Sequence, residues 1–445
     1  MTMSRRIFNS AVIVLAVILL AGVNAGAQTY GSYTPYSFFG VGDLSTPGTA
    51  YNKTMGGVGT ATRSNRFINP VNPAAVTARD SLAFMADFSL YGDNRYFRQG
   101  DIRSAGNTFN INDLILTFPI YGPSAMMFGI APYSGTGFGY NYSYDDPSII
   151  GKTGNITYTA KGQGALYQAF AAAGVTFFKR LSLGAQFNYI FGQTKKEYYE
   201  TFSVSSYNGA QNGFDMQLHG TSWKFGLQYE QPLGPASTLT LGATYNLKAN
   251  LGGNVIGYKY STGSAATDTL FYKNLDLAKD AKVFLGSELG VGVSYKFADK
   301  FMVEVDYTRG DWRDNGFDTT MGFMGNTIST STRSAFKSDV AEAYRIGMEI
   351  VPNRNDIRYY LKRCAYRAGA YYKKDYFTMD GHTIGSMGIT LGATLPVFRW
   401  YNGLTLGMEI GQRGVLDGNL FRERYINFSL GMNIFDVWFR RFQYD

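Results

Sequence analysis

The chain has 445 residues, 45% of them hydrophobic and 17% charged, with 53 Gly, 12 Pro, one Cys, 34 Tyr and 33 Phe, which excludes collagen, a disulfide scaffold and a disordered tail. Charged residues fall below the roughly 25% usual in soluble domains, while aromatics reach 16%, so much of the surface is expected to face something other than water. The net charge of +8 is modest and scattered, with no run of five basic residues; nucleic-acid binders gather Lys and Arg on one face, so no nucleic-acid partner is expected.

In chain order, Arg5 and Arg6 precede the apolar run Ala11 to Gly22, and Ala25-Gly26-Ala27 offers small residues before Gln28. This reads as a cleavable secretory signal over 1–27, since the run is shorter than the ~20 residues a spanning helix needs. Cleavage removes two positive charges and takes +8 to +6. No Cys stands at the cleavage site, so no lipid anchor is expected there. Beyond Gln28, Gly, Thr, Asn, Lys or Glu interrupts every apolar stretch before it reaches helical-span length. A bilayer admits only helices and closed barrels, because unpaired backbone groups are costly in hydrocarbon. In a membrane, then, this chain is a barrel.

Residues 28–81 are rich in Gly, Asn, Ser and Thr and show little alternation. Met55-Gly56-Gly57-Val58-Gly59-Thr60-Ala61 is small and flexible, and Asn72-Pro73 before Ala74, Ala75 and Val76 reads as an N-cap with Pro at the first helical position of a short helix.

From residue 82 onward the pattern has a period of two. Leu181, Leu183, Ala185, Phe187 and Tyr189 oppose Ser182, Gly184, Gln186 and Asn188; Met387, Ile389, Leu391 and Ala393 oppose Gly388, Thr390 and Gly392; Ile426, Phe428 and Leu430 oppose Asn427, Ser429 and Gly431. Fourteen strands are expected, over 82–92, 107–121, 124–134, 166–178, 181–192, 214–230, 237–250, 285–297, 301–310, 339–351, 361–376, 383–395, 404–413 and 421–434. Every even-to-odd connection is short, whereas 135–165, 193–213, 251–284 and 311–338 are long. A soluble sandwich has no reason to sort its loops by end. The expected fold class is therefore all-β: a transmembrane antiparallel β-barrel of about fourteen strands over 82–445, with both termini and the short turns in the periplasm. Tyr121, Phe178, Tyr229, Phe297, Tyr307, Trp400 and Trp438 at strand ends suit interfacial girdles.

With the apolar face toward lipid, the lumen wall carries Glu288, Glu304, Asp306, Arg345, Glu349, Arg363, Arg367 and Glu409. These could clamp an inserted segment through charge-assisted hydrogen bonds or form an ion pathway; they could equally be charges that lipid rejects. Inward glycines at 184, 242, 290, 292, 347, 388, 392, 407, 411 and 431 leave room for something bulky, or ease curvature. Phe317, Met321, Phe323 and Met324 in an outer loop read either as contacts for a hydrophobic ligand or as packing that keeps the loop compact.

Met55 to Ala61 followed by Asn69-Pro70-Val71-Asn72-Pro73-Ala74-Ala75, just before a barrel's first strand, resembles the FadL (OmpP1/TodX) family of outer-membrane transport proteins. Val351-Pro352-Asn353, Tyr366-Arg367-Ala368-Gly369 and Trp438-Phe439-Arg440-Arg441 look like members from Bacteroidetes. The resemblance implies that 28–81 folds into the lumen as a plug, or hatch, with Asn72, Pro73 and Ala74 as its motif. It also implies passive uptake of hydrophobic small molecules such as long-chain fatty acids, bound under the outer loops. Relatives of this type also imply an alternative: an outer-membrane secretion or assembly partner holding protein substrates at the cell surface. The partners expected are outer-membrane lipid, a hydrophobic ligand and, on the alternative reading, other outer-membrane proteins.

No enzyme, cofactor or metal site is expected. His219, His382 and one Cys supply too few ligands for zinc. His219 has only Thr221, a weak nucleophile, two residues on, and Gly286 to Gly292 does not lead into a helix. Cys364 is expected to face lipid alongside Tyr366.

Overall fold

The computed structural model describes residues 31–80, 82–262, 267–324, 336–397, 402–416 and 420–437. The expected signal sequence, Trp400, the terminal Trp438 to Arg441 and the middle of the loop 311–338 lie outside the described residues.

Fourteen antiparallel strands close into a barrel. They are β1 (Ala83–Gln99), β2 (Ile102–Pro119), β3 (Ser124–Gly135, continued by Phe138–Tyr144), β4 (Ile156–Phe177), β5 (Leu181–Phe202), β6 (Gly209–Pro232) and β7 (Ser237–Asn246, continued by Ala249–Thr262). There follow β8 (Ser287–Phe297), β9 (Phe301–Asp311), β10 (Val340–Ile350, preceded by Phe336–Ser338), β11 (Ala365–Met379), β12 (His382–Pro396), β13 (Gly403–Arg413) and β14 (Arg422–Val437). The circle closes between β1 and β14, from Ala83 opposite Val437 to Arg98 opposite Arg422. No helix among the described residues is long and apolar enough to cross a membrane; the strands do the crossing.

The period of two sorts the faces as expected. Leu183, Leu241, Val291, Ile346, Ile389, Leu406 and Phe428 are exposed on the outside, while Ser182, Thr240, Ser294, Thr390, Thr405 and Asn427 are buried inside. Lipid rejects polar side chains, so the wet face must turn inward.

The connections 135–165, 193–213 and 251–284 are not irregular loops. β4 and β5 stay paired from Phe177 opposite Leu181 up to Ile156 opposite Phe202, and Ala249–Thr262 forms a further hairpin with Thr267–Asp276. These extensions carry polar residues on both faces among their apolar ones, which is why alternation does not reveal them. Tyr360–Arg363 is one helical turn rather than the start of β11, because Asp356 Oδ1 accepts from the N–H groups of Arg358 and Tyr359 and bends the chain there.

Residues 31–80 lie inside, touching inward-facing groups of every wall strand. They form short 3-10 turns (Pro35–Phe38 and Pro73–Thr77), a two-residue strand Asp43–Leu44 and one helical turn Ala50–Lys53. The segment runs the length of the barrel. Its last residues join β1 at the short-turn end, but Gly31 packs against Gly135 and Gly164 near the long-hairpin end. The expectation that the chain starts on the periplasmic side is therefore corrected: its first described residue sits at the opposite end, because Asp43–Leu44 pairs high on β3.

Candidate functional site

At the level of β9, two carboxylates hold the inner segment by its backbone. Asp306 Oδ2 accepts from the N–H groups of Gly59 (2.8 Å) and Thr60 (2.9 Å), and Glu304 Oε1 from those of Ala61 (2.8 Å) and Thr62 (3.1 Å). Asn72 caps the turn after Pro73: its Oδ1 accepts from Ala74 N at 3.0 Å, while its Nδ2 donates to Thr60 O at 2.7 Å and to Leu227 O of β6 at 3.2 Å.

The wall is cut away to fit. A Cβ on Gly184 would lie 2.4 Å from the Ala74 nitrogen, one on Gly242 2.1 Å from Thr60 O, one on Gly347 2.5 Å from Met55 O, and one on Gly431 2.5 Å from the Ala50 Cβ. Gly290 and Gly292 meet wall groups as well as Thr60, and Gly392 and Gly407 meet Thr54. Gly388 and Gly411 face the wall tyrosines Tyr371 and Tyr425 instead. Gly226 and Gly369, absent from the inward set read from sequence, also face the segment.

The remaining lumen residues divide. Arg367 pairs with Glu349 at 2.8 Å and lays its guanidinium over the Tyr51 and Phe67 rings, at 4.4 and 4.6 Å. Arg345 donates to Thr308 Oγ1 of the wall at 2.9 Å. Glu409 accepts from the Tyr91 and Tyr371 hydroxyls, and Glu288 is exposed into an internal cavity. Arg363 is the exception. It ends the helical turn that precedes β11, lies over Tyr360 and lines the short-turn mouth beside Arg66, Phe67 and Asn433, so it stands at the mouth of the lumen and not on a wall strand. Cys364 is corrected likewise, being fully buried rather than turned to lipid, because the helical turn shifts its parity.

Sequence reasoning missed the charged cluster at the waist. Asp43 is gripped by Arg413 of β13 (3.0 Å) and Arg95 of β1 (3.1 Å). Arg413 also pairs with Asp375 of β11 at 2.7 Å, and Arg95 with Asp93 at 2.7 Å and Glu423 of β14 at 3.1 Å. Burial pushes the Asp43 carboxyl up, but the two guanidiniums outweigh it and hold the carboxyl down at about 2. Extending the inward parity of β13 and β14 past Glu409 and Asn427 would have found Arg413 and Glu423; Asp43 gave no signal. Against this cluster lies a cavity of about 200 Å³, lined among others by Gln186, Asn188, Lys224, Glu288 and Arg345 and also by Ile115, Phe170, Trp312 and Tyr376.

Above the waist the character changes. Phe39, Phe138, Phe214, Phe317, Phe323 and Phe377 are fully buried in one apolar cluster with Trp312, Met321 and Tyr376. Phe317 stacks on Phe323 at 5.1 Å and meets Phe39 edge-on at 6.2 Å. Phe317, Met321, Phe323 and Met324 thus form no open surface; all four are buried. Lys196 of β5, also missed, enters this region and donates to the carbonyls of Phe38 (2.8 Å) and Gly322 (2.9 Å), tying the inner segment to the loop after β9.

The wall itself is breached. β2 and β3 pair only from Pro119 opposite Ala125 to Leu114 opposite Ile130. Above that point β2 stays with β1, past a bulge between Ser89 and Leu90 that leaves Asn112 unpaired. β3 stays with β4, past an irregularity between Pro132 and Ser134. Pro132 has no N–H to give and a bulge bends its strand, so the two edges part. The inner segment fills the gap: Asp43 and Leu44 pair with Gly135 and Ser134, Asn110 Nδ2 donates to Gly31 O at 3.1 Å, and the Tyr33 ring fills the space above Gly106.

A family model described as BamG matches residues 3–445. The chain belongs to the BamG family. No curated protein matches the chain. Among solved structures, the BamG-family barrel is similar to the Pseudomonas putida toluene transporter TodX, at TM-score 0.57 and 14% identity over 91% of this chain and 100% of that one. It is similar to the Ralstonia pickettii toluene transporter TbuX at 0.57 and 15%, covering 86% and 97%. A Pseudomonas aeruginosa FadL homologue gives 0.56 and 13%, covering 88% and 99%. At such identities the likeness to FadL- and TodX-type barrels is one of fold.

Proposed function

We propose that this chain is exported by its signal sequence to the Gram-negative outer membrane, where it passes hydrophobic small molecules inward without an energy source. The observation that carries this reading is the division of the interior. An apolar compartment at the long-hairpin end adjoins the breach between β2 and β3, and the charged waist around Asp43 separates it from the polar lumen. An apolar solute gains nothing by entering the waist, so its way in or out of the compartment is sideways, past Asp43–Leu44 and Tyr33. Residues 28–81 act as the hatch, and Phe317, Met321, Phe323 and Met324 are contacts that the solute takes over as the hatch strand withdraws. The toluene transporters of similar fold support a hydrophobic cargo, and long-chain fatty acid is the cargo to try first. Vesicles containing the purified protein should take up labelled fatty acid faster than empty ones; equal rates would refute uptake.

One observation favours a second reading. Among the described residues the apolar compartment is filled by the chain's own side chains, with Phe39, Phe317 and Phe323 fully buried against one another. A closed barrel of this kind suits an outer-membrane partner that holds protein substrates at the surface. Stoichiometric co-purification of another outer-membrane protein, with no fatty-acid uptake, would favour it.

A further inference from the structure

At the long-hairpin end of β1, β2 and β14, four arginines share the outward face. Arg98 stands opposite Arg422 on one side and Arg103 on the other, and Arg424 stands opposite Tyr96 one outward position away. The parity is unambiguous on β14, where Arg424, Ile426, Phe428 and Leu430 are exposed and Glu423, Tyr425 and Asn427 are buried. Arg424 and Arg98 both repel Arg422 electrostatically. Their hydrogen bonds go to neutral acceptors: Arg98 Nε donates to Gly100 O at 2.9 Å and Arg424 Nε to Gln412 Oε1 at 3.4 Å. Glu423, between two of them in sequence, turns inward onto Arg95. Among the described residues none of the four makes an ion pair. Gathering like charges costs free energy that a counter-ion recovers, and the described chain supplies none.

On the same outward face, starting at Asn94, Asn107 and Phe428 four residues below Arg98, Arg103 and Arg424, the wall is hollow where a barrel is ordinarily convex. A groove of about 1110 Å³ is lined by Leu90, Phe109, Tyr366, Leu391, Leu406 and Phe428, from β11 through β14 to β1 and β2. Six strands at 4.7–4.9 Å spacing make it roughly 25 Å wide, room for several acyl chains side by side. Guanidinium forks match phosphate oxygens in pairs, and four of them exceed what one phosphodiester neutralises.

We propose that this face binds a multiply acylated lipid carrying more than one phosphate, seated in the leaflet on the long-hairpin side, with its phosphates among Arg98, Arg103, Arg422 and Arg424 and its chains in the groove. The site rests on the barrel's placement in the outer membrane and is independent of what the interior passes.

The test uses the mature protein in detergent with diphosphoryl lipid A as the probe, read by native mass spectrometry, with heat-dependent gel mobility reporting the folded barrel. A one-to-one complex is expected. The combined Arg98→Gln, Arg103→Gln, Arg422→Gln and Arg424→Gln variant should lose about tenfold or more in affinity. Should that variant fail to fold, Arg98→Gln and Arg424→Gln alone should each lose about threefold. Phosphatidylglycerol, with one phosphate, should bind more weakly than lipid A. Undiminished binding by the folded variants, or equal binding of phosphatidylglycerol, overturns the proposal; neither result bears on fatty-acid uptake.

Discussion

Asp306 and Glu304 each receive two backbone N–H groups from the inner segment, an arrangement in which the carboxylate is the shared acceptor. Replacing Asp306 with Ala leaves Gly59 N and Thr60 N buried and unpaired, a loss of roughly 1–3 kcal/mol. The expected result is faster amide hydrogen exchange over residues 55–62 with the barrel strands unchanged; unchanged exchange would show that the neighbouring Glu304 contacts suffice. Asp43 carries a pH dependence of opposite kind to a buried base. Its folded value of about 2 lies below the ordinary 3.8, so the waist gains stability that is complete above about pH 4 and is lost as pH falls toward 2. One such shift contributes about 2 kcal/mol. Protection of residues 40–46 from exchange should therefore drop in that window, and Asp43→Asn should remove the dependence. Glu304 and Asp306 were legible in sequence because parity on a regular strand places them. Asp43 was not, since nothing in an irregular segment tells which wall it meets.

Among elements, the breach between β2 and β3 is covered by the inner segment, which pairs with β3 through Asp43 opposite Gly135 and Leu44 opposite Ser134 and meets β2 through Gly31 and Tyr33. Directly opposed residues of an antiparallel pair have Cα atoms about 4.5–5.5 Å apart, within disulfide range. Leu44→Cys with Ser134→Cys should thus bridge under oxidation, the native Cys364 being buried. If solutes use the sideways route, the oxidised protein should lose most fatty-acid uptake and regain it on reduction, whereas undiminished uptake when oxidised would exclude this route. Strand existence and order were readable, because lipid on one side and a wet bore on the other impose a strict period of two. The breach was not, although its causes, Pro132 and the extra residue Asn112, stand in the sequence: a proline or bulge tells that a ladder is interrupted, not which neighbour leaves. Arg363 and Cys364 failed for a related reason, since one helical turn after Asp356 resets the parity that the strand would have carried back to them.

For the molecule as a whole, the contrast between a polar inner wall and a filled interior decides what the barrel is without its inner segment. Ser182, Gln186, Asn188, Thr240, Thr244, Glu304 and Thr390 are buried only because residues 31–80 or wall neighbours cover them. The backbone ladder that closes β1 on β14 runs strand to strand and does not pass through the segment. Deleting 31–80 should leave a folded, heat-modifiable barrel whose bore fills with water, because that wall offers hydrogen bonds and the glycine belt leaves it wide. In planar bilayers the deleted form should then conduct ions in large, steady steps where the full chain conducts little. An apolar solute should gain no advantage from so wide a wet pore, so selectivity for fatty acid over a polar solute of equal size should fall while total permeation rises. A deleted form that folds yet stays as closed as the full chain would mean that the long hairpins, not the inner segment, seal the bore, and the sideways route would lose its physical basis.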